Sequence, residues 1–267
     1  MTGSQISIAL QNEIKKYLER ANINGVIVGI SGGIDSGVAA SLAVYALGSE
    51  NVLGITMPSK YTSNETLTDA KRLAEKLKIQ LKEIPIHSLH ERFKEQIYPT
   101  LPKNIQDDPE QITDQNVQAR IRMIILMTFA NAMKRILLCC GNKTEIAVGY
   151  GTLYADTAGG IAPIGDLYKY QVYEIAKCIN HEYGDIIPDS MITRIPTAEL
   201  RPNQEDRQSI PDYPILDPIL QELENGEAGV KTLIQKGYAS ETIKQVQALV
   251  KQAEYKRIQY PYIPKIK

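Results

Sequence analysis

Residues 29–36 read Gly29-Ile30-Ser31-Gly32-Gly33-Ile34-Asp35-Ser36, and with its two flanks this stretch decides the fold. Upstream, Val26-Ile27-Val28 is a short apolar run of the kind buried in a parallel sheet. Downstream, residues 37–47 predict a helix whose small residues pack closely on that sheet. The turn between them has almost no side chains to block an approach. Backbone N–H groups can therefore converge on an anion at the positive end of the helix. An ordinary phosphate loop continues with Lys and then Ser or Thr; this one offers Asp35 and Ser36. A carboxylate repels a polyphosphate unless a cation lies between them, so Asp35 points to Mg²⁺.

Working outward, residues 5–20 have helical spacing and end at Asn22-Ile23-Asn24-Gly25. A second strand is predicted over residues 51–57, closed by Pro58, and a third over residues 79–86. Between them Thr62 reads as the N-cap of a capping box with Glu65. Strand, helix, strand, helix, strand in this rhythm predicts an α/β fold, a doubly wound, Rossmann-like parallel sheet flanked by helices. Ligands of such sheets bind beyond the carboxyl ends of the strands, where residues 31–36 would lie. Residues 99–114, rich in Pro and Asp, predict an exposed connection. Residues 116–133 form a helix apolar nearly all round, which predicts burial on several sides, in the core or at a subunit interface. A fourth strand is expected at residues 136–140 and a helix near residues 171–179. Six prolines between Pro188 and Pro218 leave little room for regular structure, and a stretch that long suggests a lid. Helices follow around residues 216–224, 229–236 and 240–256, before a basic, Tyr-rich tail.

Thirty basic residues against 31 acidic ones give a net charge of −1, which disfavours a nucleic-acid partner. Cys139, Cys140 and Cys178 have neither metal-ligand spacing nor a disulfide framework, which fits a reducing cytosol. Met1-Thr2-Gly3-Ser4-Gln5 has no basic region leading into an apolar stretch, and no apolar run is long enough to span a bilayer. The expectation is a cytoplasmic protein without a membrane segment.

Further blocks follow the loop in order: Asn116-Val117-Gln118-Ala119-Arg120-Ile121-Arg122-Met123, Gly141-Asn142-Lys143-Thr144-Glu145, Ala147 to Asp156, Pro163 to Lys169, Pro196 to Gln204, and Glu254-Tyr255-Lys256-Arg257. The loop alone resembles that of the ATP pyrophosphatases, which cleave ATP between its α and β phosphates. The ordered set closely resembles the NAD⁺ synthetases, over essentially the whole chain. That resemblance implies one synthetase domain, residues 1–267, of the adenine nucleotide α-hydrolase-like fold. It also implies adenylation of the nicotinate carboxylate of deamido-NAD by ATP, then displacement of AMP by ammonia. The blocks look most like the synthetase domain of glutamine-dependent members, whose N-terminal amidase domain has no counterpart in 267 residues. The implied enzyme is therefore stand-alone and ammonia-using, or fed by a separate glutaminase, and a homodimer through the helix at residues 116–133.

Carried over residue by residue, the resemblance gives ATP the loop Gly29, Ile30, Ser31, Gly32, Gly33, Ile34, Asp35 and Ser36, together with Cys140, Lys169 and Thr197. Asp35 and Glu145 match the Mg²⁺ ligands. Lys169 supplies the cation that the loop lacks. Arg120, Asp156, Tyr255 and Lys256 match deamido-NAD-binding positions, with Asp156 near the nicotinate end, where it would guide or deprotonate ammonium. Arg122 reads instead as the partner in a structural ion pair. Two positions depart from the family: Cys139-Cys140 replaces a Gly-Thr whose hydroxyl touches ATP, and Leu153 replaces a lysine of many ammonia-dependent members. The competing readings are another ATP pyrophosphatase, amidation of nicotinic acid mononucleotide, and a non-catalytic nucleotide sensor, which has no use for Asp35, Glu145 and Lys169 together.

Overall fold

The computed structural model describes residues 1–102 and 112–266. Its centre is β1, Val26–Gly29, flanked by β2, Val52–Thr56, and β4, Ile136–Leu137; β3, Gln80–Glu83, lies outside β2. All pairings are parallel, with Val26 opposite Val52 on one side and Ile136 on the other, and Leu53 opposite Gln80. Twelve helices are described, of which α1 is Gly3–Ala21, α2 Ile34–Leu47, α3 Asn64–Lys76, α4 His87–Ile97, α5 Ile112–Met133 and α6 Lys143–Val148. The remainder are α7 Lys169–Tyr183, α8 Asp189–Thr193, α9 Tyr213–Leu223, α10 Gly226–Gln235, α11 Ser240–Gln252 and α12 Glu254–Arg257.

From β1 the chain steps outward through α2 to β2 and through α3 to β3. It then returns through α4 and α5 to place β4 on the opposite edge of β1. The strand order thus reverses at β1, which opens a crevice between the carboxyl ends of β1 and β4.

Alternation along β1 sends its side chains to two cores. Val26 and Val28 join residues of α1, α2 and α7, while Ile27, with Leu53 and Ile55, meets Ile121, Leu126 and Ala130 of α5. A third cluster packs Leu216, Ile219, Leu233, Ile243 and Val246 of α9, α10 and α11 against Val148 of α6. The predicted α/β sheet is therefore present.

Several local expectations change. The cap of α3 is Ser63, whose side chain accepts from the Thr66 N–H, while the Thr62 hydroxyl accepts from the Ser59 N–H at 3.0 Å. The helix starts one residue later than the capping-box reading because Ser63 is the residue held in the extended conformation. α5 is not buried all round: Ile121, Met123, Leu126 and Ala130 face the sheet, but Ile124 is 67 % exposed and Met127 and Met133 are exposed too. α5 also begins at Ile112, inside the expected connection 99–114, of which residues 103–111 lie outside the described residues. The fourth strand stops at Leu137, and Leu138 continues as a single bridge to Ile161. The proline-rich segment holds more helix than expected, α8 and the start of α9, where Pro214 occupies the first turn and needs no N–H.

Gly32 fixes the loop. Its φ is +85°, and a Cβ there would lie 2.2 Å from the Thr66 carbonyl oxygen of α3. Gly32→Ala should therefore cost more than about 1 kcal/mol of stability, from backbone strain plus collision. Urea unfolding measures this, and an unchanged midpoint would contradict the close approach of loop and α3.

Candidate active site

A cavity of about 660 Å³ opens at the crevice between β1 and β4. Its floor is the glycine loop. Gly33 is the N-cap of α2 and provides no side-chain cap, so the first turn of α2 presents N–H donors to the cavity. Ser31 and Ser36 satisfy each other meanwhile: their hydroxyls are 3.1 Å apart, and the Ser36 hydroxyl donates to the Gly33 carbonyl at 2.9 Å. Of the loop residues, Gly29, Ile30, Ser31, Gly33, Ile34, Asp35 and Ser36 line the cavity, and Gly32 faces α3 behind it.

Below the loop sits a buried charge cluster. The Lys169 ammonium, at the start of α7, is only 3 % exposed and lies 2.6 Å from Asp35 Oδ2 and 3.2 Å from Glu145 Oε1. It also lies 4.8 Å from the centroid of the Tyr213 ring. Burial alone would drive the Lys169 pKa down, but the Asp35 and Glu145 carboxylates hold it above the ordinary lysine range. Glu145 moves the other way: burial pushes it up to about 8, against the pull of Lys169 and with the push of Asp35. One ammonium faces two carboxylates, and the imbalance adds to burial in holding Glu145 above the usual carboxylate range.

Each member is held by backbone logic. Asn142 caps α6 by accepting from the Glu145 N–H at 3.0 Å, and its amide nitrogen donates to Asp35 Oδ1 at 2.8 Å. The other Glu145 oxygen accepts from the Asn142 N–H, closing a capping box. The Lys169 N–H donates to the Thr144 hydroxyl, which donates in turn to the buried Asp217 at 2.5 Å. Asp206 accepts from Tyr150 and Tyr213 at 2.9 and 2.8 Å. Asn142, Asp206, Tyr213 and Asp217 escaped the sequence reading, although the Asn142/Glu145 capping box is legible in residues 142–145.

The proline-rich segment forms the opposite wall. Arg194 donates to the Gly32 carbonyl at 3.1 Å and pairs with the buried Asp69 of α3. Glu199 accepts from the Thr66 hydroxyl at 2.9 Å, and the Leu200 carbonyl accepts from the Gln118 amide at 2.9 Å. Thr197, whose hydroxyl accepts from the Glu199 N–H, faces the cavity from this wall. Cys140 lines it as well, with its thiol pushed far up by burial.

Asp156 and Lys256 line the far side. Asp156 accepts from the Thr152 N–H at 2.9 Å, and desolvation raises its pKa. Lys256 donates to the Gly149 and Gly151 carbonyls at 2.8 and 2.7 Å, and burial lowers its pKa. Arg120 and Tyr255 fall outside this wall: Arg120 is exposed with its Nε on the Leu153 carbonyl, and Tyr255 is 55 % exposed.

No group of three or more His, Cys, Asp or Glu side chains forms a metal cage among the described residues. Mg²⁺ needs less from a protein, one or two carboxylates completed by phosphate and water. Asp35 and Glu145 already converge on one cation, the Lys169 ammonium, so the residues present suit that ion.

Fold and wall together describe an α/β protein with a glycine-rich loop and an uncapped helix N-terminus at its topological switch point. The chain belongs to the NAD synthase family, whose profile matches residues 6–260. It is 40 % identical over 262 residues to the glutamine-dependent NAD(+) synthetase of Aquifex aeolicus, covering 98 % of this chain but 45 % of that relative's length. Among solved structures it resembles an NMN synthetase from Francisella tularensis (TM-score 0.81, 26 % identity, all of both chains). It also resembles an NH3-dependent NAD synthetase from Campylobacter jejuni (TM-score 0.77, 26 % identity, 100 % of this chain and 99 % of that one).

The charge cluster sets a pH dependence. Glu145 has a folded pKa raised to about 8 from 4.5, so its stability contribution is complete below the unfolded value and lost as pH rises through the folded one. Metal-free protein should lose melting temperature between pH 5 and 8, and Glu145→Gln should flatten that decline. Thermal melts in chelator test this, and a variant with an undiminished slope would contradict the assignment.

Proposed function

We propose that this chain catalyses ATP-dependent amidation of deamido-NAD by ammonia, releasing AMP and pyrophosphate. The observation that carries the reading is the Asp35–Lys169–Glu145 cluster beneath the uncapped first turn of α2. A nucleotide sensor needs the donors of that turn; only turnover needs two carboxylates and an ammonium placed where charge develops.

A carboxylate resists ammonia because its oxygen leaves poorly. In the first step the acceptor carboxylate attacks the α-phosphorus of ATP, forming an acyl-adenylate and expelling pyrophosphate. The N–H groups of residues 34–36 with the Ser31 and Ser36 hydroxyls receive the departing phosphates, and Lys169 offsets their growing charge. Asp35 and Glu145 would hold Mg²⁺, which when bound supplies further neutralisation of the phosphates. Thr197 offers a hydroxyl to the nucleotide from the opposite wall.

In the second step ammonia attacks the acyl carbon and AMP leaves. Ammonium must first lose a proton, and Asp156, made more basic by burial, stands in the wall as its acceptor. Lys256 lies beside it for an anionic group of the acceptor, while Arg120 and Tyr255 serve the part of the dinucleotide that extends past the rim. Cys140 offers backbone contacts to ATP but no thiolate, since burial keeps its thiol protonated. In this reading the ammonia is free or is supplied by a separate glutaminase. The site works in the cytoplasm, on small molecules.

Amidation of the mononucleotide is the second reading, favoured by the full-length likeness to an NMN synthetase. Incubation with ATP, Mg²⁺, ammonium and either acceptor decides between them, since AMP and pyrophosphate should accumulate with one acceptor only. ADP as product would contradict adenylation altogether. Asp35→Asn and Glu145→Gln, which keep the ammonium a partner, should each lower the rate by about 10²-fold or more without loss of fold.

Two copies pair, in this proposal, through the exposed face of α5 around Ile124 and Met127. Light scattering should give twice the 29.8 kDa of one chain, and Ile124→Glu should halve it. A monomeric parent with full activity would contradict the pairing.

A further inference from the structure

Five cationic side chains line the cavity, Arg122, Lys169, Arg194, Arg201 and Lys256. Lys169 and Arg194 are paired with buried or half-buried carboxylates. Arg201 reaches the Gln208 amide on the exposed rim, and Lys256 is occupied by two carbonyls. Arg122 differs from all four. Among the described residues it makes no ion pair, and its one hydrogen bond runs from Nε to the Met57 carbonyl at 3.0 Å. That bond fixes the plane of the guanidinium and leaves its two terminal nitrogens for the cavity it lines.

Its place in the fold is equally specific. Arg122 is one helical turn before Leu126, whose Cδ1 would touch a Cβ on Gly29 at 3.3 Å, and Met57 follows the end of β2. Arg122 therefore rises from the α5 side of the sheet beside the loop, whereas α2, with its donors, lies on the other side. Asp156 and Glu199 are near enough to favour its charge, yet neither comes within ion-pair distance. Desolvation still wins and depresses its pKa to about 10. A half-buried guanidinium whose terminal nitrogens have no protein partner among the described residues is costly, and the cost is offset when an anion arrives. The sequence reading of Arg122 as a structural ion-pair residue is thus not met by the structure.

We propose that Arg122 is a substrate-binding residue that grips an anionic oxygen at the reacting junction, supplied by the acceptor carboxylate or by the α-phosphate of ATP. This rests on the amidation reading above. It gives the enzyme a way to tell acid from amide: the carboxylate gains a charged, forked contact that the neutral product lacks. Lys169 and Arg194 are already ion-paired, Arg201 lies on the rim and Lys256 lies on the Asp156 side of the wall, so Arg122 is the cavity guanidinium away from the rim without a carboxylate partner among the described residues.

The test measures equilibrium binding of three ligands separately, to parent, Arg122→Gln and Arg122→Lys proteins of equal melting temperature. The ligands are α,β-methylene-ATP with Mg²⁺, deamido-NAD, and NAD⁺. If the carboxylate is the source, Arg122→Gln weakens deamido-NAD by about tenfold or more and leaves NAD⁺ and the nucleotide as they were. If the phosphate is the source, the nucleotide alone weakens by that factor. Arg122→Lys, which keeps a charge but loses the fork, should fall between parent and Arg122→Gln, and it serves alone should Arg122→Gln not fold. Equal weakening of all three ligands, or of none, would overturn the proposal, because either result makes Arg122 structural or irrelevant. A parent that binds neither acid nor nucleotide would take down the amidation reading as well, and no variant can produce that result.

Discussion

One ammonium group organises this molecule's centre. The Lys169 side chain reaches from α7 to a carboxylate at the start of α2, 134 residues away, and to another on α6, 24 residues away. A buried cation without those partners would be strongly disfavoured, and two buried carboxylates without it would repel each other. The arrangement therefore holds the glycine loop against the β4–α6 connection, and so sets the width of the cavity between them. It also sets two carboxylates against one ammonium, the imbalance that adds to burial in raising the Glu145 pKa.

Around that cluster, stability and function use the same contacts. The Asn142/Glu145 capping box starts α6 and also aims Glu145 at Lys169 and the Asn142 amide at Asp35. Arg194 ties the proline-rich wall to the Gly32 carbonyl and to Asp69, so the segment over the cavity is fastened to the loop beneath it. Glu199, held at a φ of 48°, fastens it again to the start of α3. Such a wall is positioned by a few hydrogen bonds rather than by a core, which places it among the less stable parts of the fold.

Much of the fold was legible before any coordinates. Val26, Ile27 and Val28 had the composition of a doubly buried strand, and the small residues of α2 announced close helix–sheet packing. Errors arose where local pattern competes with neighbours. The apolar character of residues 116–133 does not say which side of α5 meets the sheet, and Ile124 is left outside. Prolines at 214 and 218 look like helix breakers in isolation, but one occupies a first turn and the other forfeits a single hydrogen bond in α9. The site was legible in its loop, in Glu145 and in Lys169. It was illegible in Asp206, Asp217 and Tyr213, ordinary residues made important by where α9 and its preceding turn are packed.

Taken alone, the order of residues determined the parallel α/β sheet, the anion-seeking turn at residues 29–36 and the membership of a family, because these are written in short-range periodicity and contiguous motifs. Tertiary structure alone decided that Lys169 lies between Asp35 and Glu145, and that Arg122 opens into the cavity while Arg120 stays at its rim. Two arginines two residues apart on a helix point in directions about 200° apart. Which of them meets the cavity depends on how α5 is rotated against the sheet, and that rotation is set by the packing of Ile121, Leu126 and Ala130, not by either arginine.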